Sequence, residues 1–149
     1  MATITKFEDI EAWQKGRELK QVLYRCSQRG EFAKDFALRN QIRRAAMSVT
    51  ANIAEGFERG GNREFIQFLS TSKGSCGEVQ DHLYTAMDEQ YITKQEFEKL
   101  YAQTAEVGRL IGGFMKYLQH SEIRGNKFRS QASQLRTRNS KPETRNFLE

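Results

Sequence analysis

The chain contains a single proline, Pro142, in a sequence of 149 residues. Proline interrupts helices more strongly than any other residue, because it lacks a backbone N–H donor and its ring clashes with the preceding turn. Nothing before residue 142 carries that interruption, so helices of about 20 residues are permitted through the first four fifths of the chain. A chain of this length has room for one domain.

Apolar residues recur every three or four positions in four stretches, and this is the period of an amphipathic helix. The stretches cover approximately residues 8–29, 36–55, 62–89 and 93–118. Four helices joined by short loops can bury such seams only against one another. The sequence therefore predicts an all-α fold, an up-down-up-down four-helix bundle over residues 1–120.

The last fifth of the chain has a different composition. Residues 121–149 lack the helical period and are rich in Ser, Asn, Gln, Thr and Arg, which is typical of a disordered segment. They hold 7 basic and 3 acidic residues, whereas residues 1–120 hold 17 and 16. Most of the net charge of +5 thus lies in a predicted disordered, basic C-terminal tail.

Local signals predict where the helices begin and end. Gly56 is expected to cap the end of the second helix, and Asn62 the start of the third. Thr93 and Glu96 have the spacing of a capping box at the start of the fourth. Six further glycines lie inside the predicted helices, each at a cost of about 1 kcal/mol relative to alanine. We expect close approach of helices, within the bundle or between subunits, to offset that cost.

Arginines are concentrated around the second helix and the turn after it, and the tail adds further cations. A basic cluster is the electrostatic signature of a nucleic-acid partner, although a solvated or ion-paired surface has the same composition. The predicted nucleic-acid contacts are Arg39, Arg43, Arg59, Arg63, Arg124, Lys127 and Arg129.

The second helix also carries an apolar strip that points away from the predicted core. With successive residues 100° apart, this strip and a neighbouring polar stripe share the outer side of the helix. Alanine is a good helix former, so the strip alone has an ordinary explanation. The alternative is a subunit interface. The predicted interface residues are Arg44, Met47, Ser48, Ala51, Asn52, Ala54 and Glu55.

The supply of catalytic and metal-binding groups is thin. Glu78 and His82 are four apart, but the repeated Glu-x-x-His motif of di-iron bundles is missing. Cys26 and Cys76 lack CxxC spacing and are expected to be reduced thiols. The sequence therefore predicts no enzyme, no cofactor and no metal site. Without a signal-peptide pattern or an apolar run of about 18 residues, it also predicts a cytoplasmic protein that does not enter the membrane.

One segment of the second helix resembles a known family. Residues 41–56 read QIRRAAMSVTANIAEG, which is similar to the QIRRAxxSxxxNIAEG signature of proteins encoded in intervening sequences of bacterial 23S rRNA genes. Weaker matches surround Trp13, Phe65 and Gly74, and the resemblance covers residues 7–118. It implies a left-handed bundle that assembles as a ring, commonly a pentamer, and binds nucleic acid. A more distant resemblance is to the accessory variability protein of diversity-generating retroelements, which associates with a reverse transcriptase and its RNA.

Two functional hypotheses follow. The first is a non-enzymatic homo-oligomer, expected to be a pentamer, that binds RNA or DNA, structured RNA being favoured, through arginine-rich surfaces. The second is a protein-interaction scaffold that serves a reverse transcriptase or another nucleic-acid enzyme, with its arginines paired to acidic protein surfaces.

Overall fold

The computed structural model describes residues 3–123, and within them every regular element is a helix. A short 3-10 helix, Phe7–Asp9, precedes the first long helix. The α-helices are α1 (Glu11–Cys26), α2 (Gly30–Lys34), α3 (Phe36–Arg59), α4 (Asn62–Asp88) and α5 (Lys94–Ile123). The predicted all-α class and the four long helices are confirmed.

The four long helices form one bundle around a continuous core. Connections of a few residues reverse the chain between α3, α4 and α5, so successive long helices run antiparallel. α3 packs against α4 and α1, and α5 packs against α4 and α1. The apolar seams meet in the middle, where the fully buried side chains include Leu19, Leu23, Ile42, Ile53, Leu69, Leu83, Ile111 and Leu118. Burial of each such side chain stabilises the fold by roughly 1.5–3 kcal/mol.

The predicted end of the second long helix is wrong. α3 continues through Gly56 to Arg59, and Gly60 caps it in the left-handed conformation, with φ of 86°. Gly56 is instead a packing position. A Cβ atom there would lie 2.7 Å from Cδ1 of Phe65 and 2.7 Å from Cβ of Phe68. The missing side chain lets α4 approach α3 closely near their connection.

The predicted cap of α4 is also wrong, whereas the cap of α5 is confirmed. Gly61 precedes α4, and Asn62 is its first residue, completely buried, with its Nδ2 donating to the Leu118 carbonyl oxygen at 3.1 Å. At the start of α5, the Thr93 N–H donates to Oε1 of Glu96 at 2.9 Å, and the Glu96 N–H donates to Oγ1 of Thr93 at 3.0 Å.

Two segments predicted to be irregular are partly helical. The loop of residues 29–35 contains α2, and α1 ends at Cys26, three residues earlier than predicted. At the other end of the chain, α5 continues to Ile123, so residues 121–123 belong to the bundle, and Ser121 is buried. The rest of the predicted tail lies outside the described residues.

The helical glycines differ in their surroundings. Gly16 lies where α1 and α3 approach each other, with a Cβ position 3.1 Å from Cγ2 of Thr50. Close packing within the bundle explains this glycine. Positions Gly74, Gly77 and Gly113 face open space, with nothing within 4 Å of a Cβ atom. Packing within one chain does not explain these three.

Candidate nucleic-acid interface

Arg43 lies between α3 and α1, and all its partners are uncharged. Its Nε donates to Oγ of Ser27 at 2.8 Å, and its Nη2 donates to the carbonyl oxygen of Tyr24 at 3.2 Å. The centre of the guanidinium is 4.5 Å from the centroid of the Tyr24 ring. These contacts fix the side chain in place without neutralising it, because neither a carbonyl nor a hydroxyl carries a net negative charge.

Arg39 lies one turn earlier on α3 and has a similar environment. Its Nη1 donates to the carbonyl oxygen of Ala33 at 3.0 Å, and its guanidinium is 4.8 Å from the Phe36 ring. Phe36 itself is 63% exposed, the largest exposure among the large apolar side chains of the described residues. The Nε of Arg39 is buried without a hydrogen-bond partner. No carboxylate of the described residues forms a salt bridge with Arg39, so its positive charge is also uncompensated.

Two cations from α1 lie on the same side of the bundle, and neither is among the predicted contacts. Lys20 reaches across to α3 and donates from Nζ to Oγ1 of Thr50 at 3.1 Å. Arg17, one turn away on the exposed side of α1, lies 6.0 Å from the Trp13 ring. Neither side chain forms a salt bridge with any carboxylate of residues 3–123.

These four cations define what we call the α1/α3 face: Arg17, Lys20, Arg39 and Arg43. From Arg39 to Thr50, which Lys20 contacts, the face follows twelve residues of α3, a rise of about 16 Å. The rings of Trp13, Tyr24 and Phe36 lie beside three of the cations. The α1/α3 face thus combines uncompensated positive charge with aromatic surface, and this is the combination that favours a nucleic-acid backbone and its bases.

The opposite flank of α3, toward α4, has a different charge balance. Arg59 is paired with two carboxylates, Nη2 to Oε2 of Glu55 at 2.8 Å and Nη1 to Oε2 of Glu64 at 3.0 Å, and it stacks on Phe68 at 5.0 Å. The hydrogen bond with Glu55 is the main cause of a pKa above the ordinary arginine value. The positive charge of Arg59 is therefore compensated by two neighbouring carboxylates. Arg63 is exposed and has no ion-pair partner in the described part of the chain.

The predicted interface residues do not share one environment. Ser48 and Asn52 face α4, where Nδ2 of Asn52 donates to Oγ of Ser48 at 2.9 Å, and Oγ of Ser75 donates to that same hydroxyl oxygen at 2.7 Å. This network uses their polar groups inside the chain. Arg44, Met47 and Ala51 are exposed, Ala54 is half-buried, and Glu55 is paired with Arg59 as described above.

The remaining predicted contacts, Arg124, Lys127 and Arg129, lie outside the described residues. Within residues 3–123, no three His, Cys, Asp or Glu side chains come together in a way that could hold a metal ion. Both cysteines are buried free thiols, and burial raises the pKa of Cys76 to about 11. No helix in this same part of the chain has the length and hydropathy needed to cross a membrane.

Comparison with known proteins identifies the family. A crystal structure of a protein of unknown function from the S23 ribosomal protein family of Bacteroides thetaiotaomicron VPI-5482 has the same fold. Its TM-score is 0.64 and its sequence identity 23%, over 70% of this chain and 98% of that chain. No curated protein matches the sequence significantly. The family model for the 23S rRNA-intervening sequence protein matches residues 8–113. Because this match spans more than half of the sequence, the chain belongs to the family of 23S rRNA-intervening sequence proteins.

Proposed function

We propose that this protein is a non-enzymatic, homo-oligomeric bundle that binds RNA, and that the α1/α3 face contacts the phosphate backbone. One observation supports this assignment above the others. Arg17, Lys20, Arg39 and Arg43 all have uncharged partners, whereas Arg59 and Arg109 are paired with carboxylates. Cations that the protein leaves uncompensated are the ones available to phosphate.

The fixed geometry of the arginines suits this role. Arg39 and Arg43 are held by carbonyl groups and rings, so little side-chain entropy remains to be lost when a phosphate binds. A guanidinium has five N–H donors, and the internal contacts use only part of them. RNA is the proposed polymer because the family is named for an intervening sequence of 23S rRNA. The aromatic rings beside the cations offer stacking surfaces for unpaired bases.

Self-association is part of the proposal. The outer strip of α3, formed by Met47, Ala51 and Ala54, is apolar, and Met47 is 44% exposed. Assembly through this strip would cover it and bring α1/α3 faces of neighbouring copies close together. In a pentamer, the assembly that we propose, several weak phosphate contacts would add through effective concentration.

The test of RNA binding is a salt titration. Fluorescence anisotropy with a labelled 23S rRNA fragment, a single-stranded RNA and a duplex DNA is measured between about 50 and 200 mM salt. Four phosphate contacts predict a slope of about −3 to −4 for the logarithm of the binding constant against the logarithm of salt concentration. Absence of salt-sensitive binding to any of the three polymers would contradict the proposal. It would favour the scaffold hypothesis, in which a reverse transcriptase or another nucleic-acid enzyme is the partner.

The test of self-association is the molar mass by light scattering. Arg44→Glu and Ala51→Glu place negative charge on the outer side of α3, so we expect each to lower the mass relative to the wild type. Ala102→Glu is the matched control, because Ala102 is also exposed but lies on α5. If both α3 variants keep the wild-type mass, the outer strip of α3 is not the assembly surface.

A further inference from the structure

A concave site lies between α1 and α5. This α1/α5 groove encloses about 280 Å³. Its inner wall is apolar and includes the buried side chains of Cys26 and Leu100, with Val22 half-buried beside them. Four polar side chains and one carboxylate complete the lining: Arg25, Arg29, Lys99, Gln103 and Glu96.

The charges in the α1/α5 groove do not balance. Arg29 is paired with Glu96, Nη1 to Oε2 at 3.0 Å. The pKa of Glu96 is lowered by the backbone N–H of Thr93 and then by Arg29, so the carboxylate is ionised at neutral pH. Arg25 and Lys99 form no salt bridge with any residue that the structure describes. The lining thus contains three cations and one carboxylate.

The cysteine in the wall adds no negative charge. Nη2 of Arg29 lies 3.6 Å from Sγ of Cys26. Burial nevertheless raises the pKa of the Cys26 thiol, so the thiol stays neutral near pH 7. The groove therefore offers an excess of two positive charges beside an apolar wall. An anion with an attached flat apolar group matches both properties.

We propose that the α1/α5 groove binds a nucleotide that carries a terminal phosphomonoester. The phosphate is held by Arg25, Arg29 and Lys99, and Glu96 keeps the Arg29 guanidinium in position. The base lies on the wall formed by Val22 and Leu100, where the Gln103 amide can hydrogen-bond to its edge. A free mononucleotide and the phosphorylated end of an RNA share this chemistry. The site is separate from the α1/α3 face and does not depend on RNA binding there.

The first test compares ligands on the full-length protein by calorimetry and by NMR of backbone amides. We expect uridine 5′-monophosphate to bind and to shift amide signals around Cys26 and Leu100. Uridine lacks the dianion, and inorganic phosphate lacks the base, so each should bind about tenfold more weakly or worse. Absence of binding, equal binding of phosphate and the nucleotide, or shifts confined to other surfaces would overturn the proposal.

The second test uses matched double variants. Arg25→Gln with Lys99→Gln removes two groove cations, and we expect at least about a tenfold loss of affinity for uridine 5′-monophosphate. Lys15→Gln with Lys116→Gln makes the same charge change on α1 and α5 outside the groove and should leave this affinity unchanged. Thermal unfolding checks that both variants are folded. Equal affinities of the two double variants would refute the site.

A displacement experiment separates the two sources of ligand. An oligouridylate with a 5′-phosphate and one with a 5′-hydroxyl compete with uridine 5′-monophosphate. Displacement by the phosphorylated oligomer alone identifies an RNA end as the ligand, and displacement by neither identifies the free nucleotide. Equal displacement by both oligomers would contradict the proposal, because the phosphomonoester would then not be the recognised group.

Discussion

The two flanks of α3 use the same residue types in opposite ways. Toward α4, Arg59 is paired with Glu55 and Glu64, and the helices are in close contact at Gly56. Toward α1, Arg39 and Arg43 are held by carbonyl oxygens and aromatic rings. On the first flank, two carboxylates compensate the charge of Arg59. On the second flank, the arginine side chains are held in place, but their charges are not compensated. The number of arginines near a helix is therefore a poor measure of its electrostatic potential, because that potential depends on whether each arginine is paired with a carboxylate.

The largest expected effect tests how closely each flank is packed. In Gly56→Ala, the new Cβ would lie 2.7 Å from two aromatic side chains of α4, so we expect a loss of about 2–3 kcal/mol in the free energy of unfolding. In Gly16→Ala, the nearest atom, on Thr50, is 3.1 Å away. The gain in helix propensity, about 1 kcal/mol, should offset most of that strain. Urea denaturation measures both.

The outcome of this pair decides whether the two flanks differ in packing. Gly74→Ala is the control, since the position is open and should gain stability from helix propensity alone. Equal losses in Gly56→Ala and Gly16→Ala would contradict the difference between the flanks.

A smaller effect is expected from the arginine that is best fixed on the α1/α3 face. Arg43→Gln removes the hydrogen bonds to Ser27 and Tyr24 and the contact with the Tyr24 ring. We expect a loss of about 1–2 kcal/mol by urea denaturation. Arg43→Lys keeps the charge without the planar group, so it should lose comparable stability while retaining most of the RNA affinity. If Arg43→Lys binds RNA as weakly as Arg43→Gln, the positive charge at position 43 is not the source of the RNA affinity.

The architecture of the bundle was predictable because it depends on local, periodic information. The three- to four-residue spacing of residues such as Leu19, Ile42 and Leu83 identifies the buried seams, and all three are fully buried. The capping box of Thr93 and Glu96 was equally predictable, because both partners lie within one helical turn.

Features that depend on tertiary neighbours were not predictable. A glycine near a helix end, such as Gly56, looks the same whether it caps the helix or accommodates Phe65 of the next one. The role of Asn62 likewise depends on the Leu118 carbonyl, 56 residues away.

The candidate site was predicted in part, because the partners of a cation are not always close to it in the sequence. Arg39 and Arg43 were identified from their clustering, but Arg59 was grouped with them although Glu55 precedes it by one turn. Arg17 and Lys20 were missed because α1 is acidic as well as basic overall. Neither has a carboxylate three or four residues away in the sequence, but this spacing does not decide the pairing, because Arg29 lacks one too and is paired with Glu96.

The measurement that tests the central claim most directly compares the RNA affinity of two charge-matched double variants. Arg17→Gln with Lys20→Gln removes two uncompensated cations, and Arg59→Gln with Arg109→Gln removes two paired ones. By fluorescence anisotropy at fixed salt, we expect the first variant to bind RNA about tenfold or more weakly than the wild type. In a salt titration, the magnitude of its slope should decrease by about 2. The second should bind like the wild type. Equal affinities of the two variants would contradict the account.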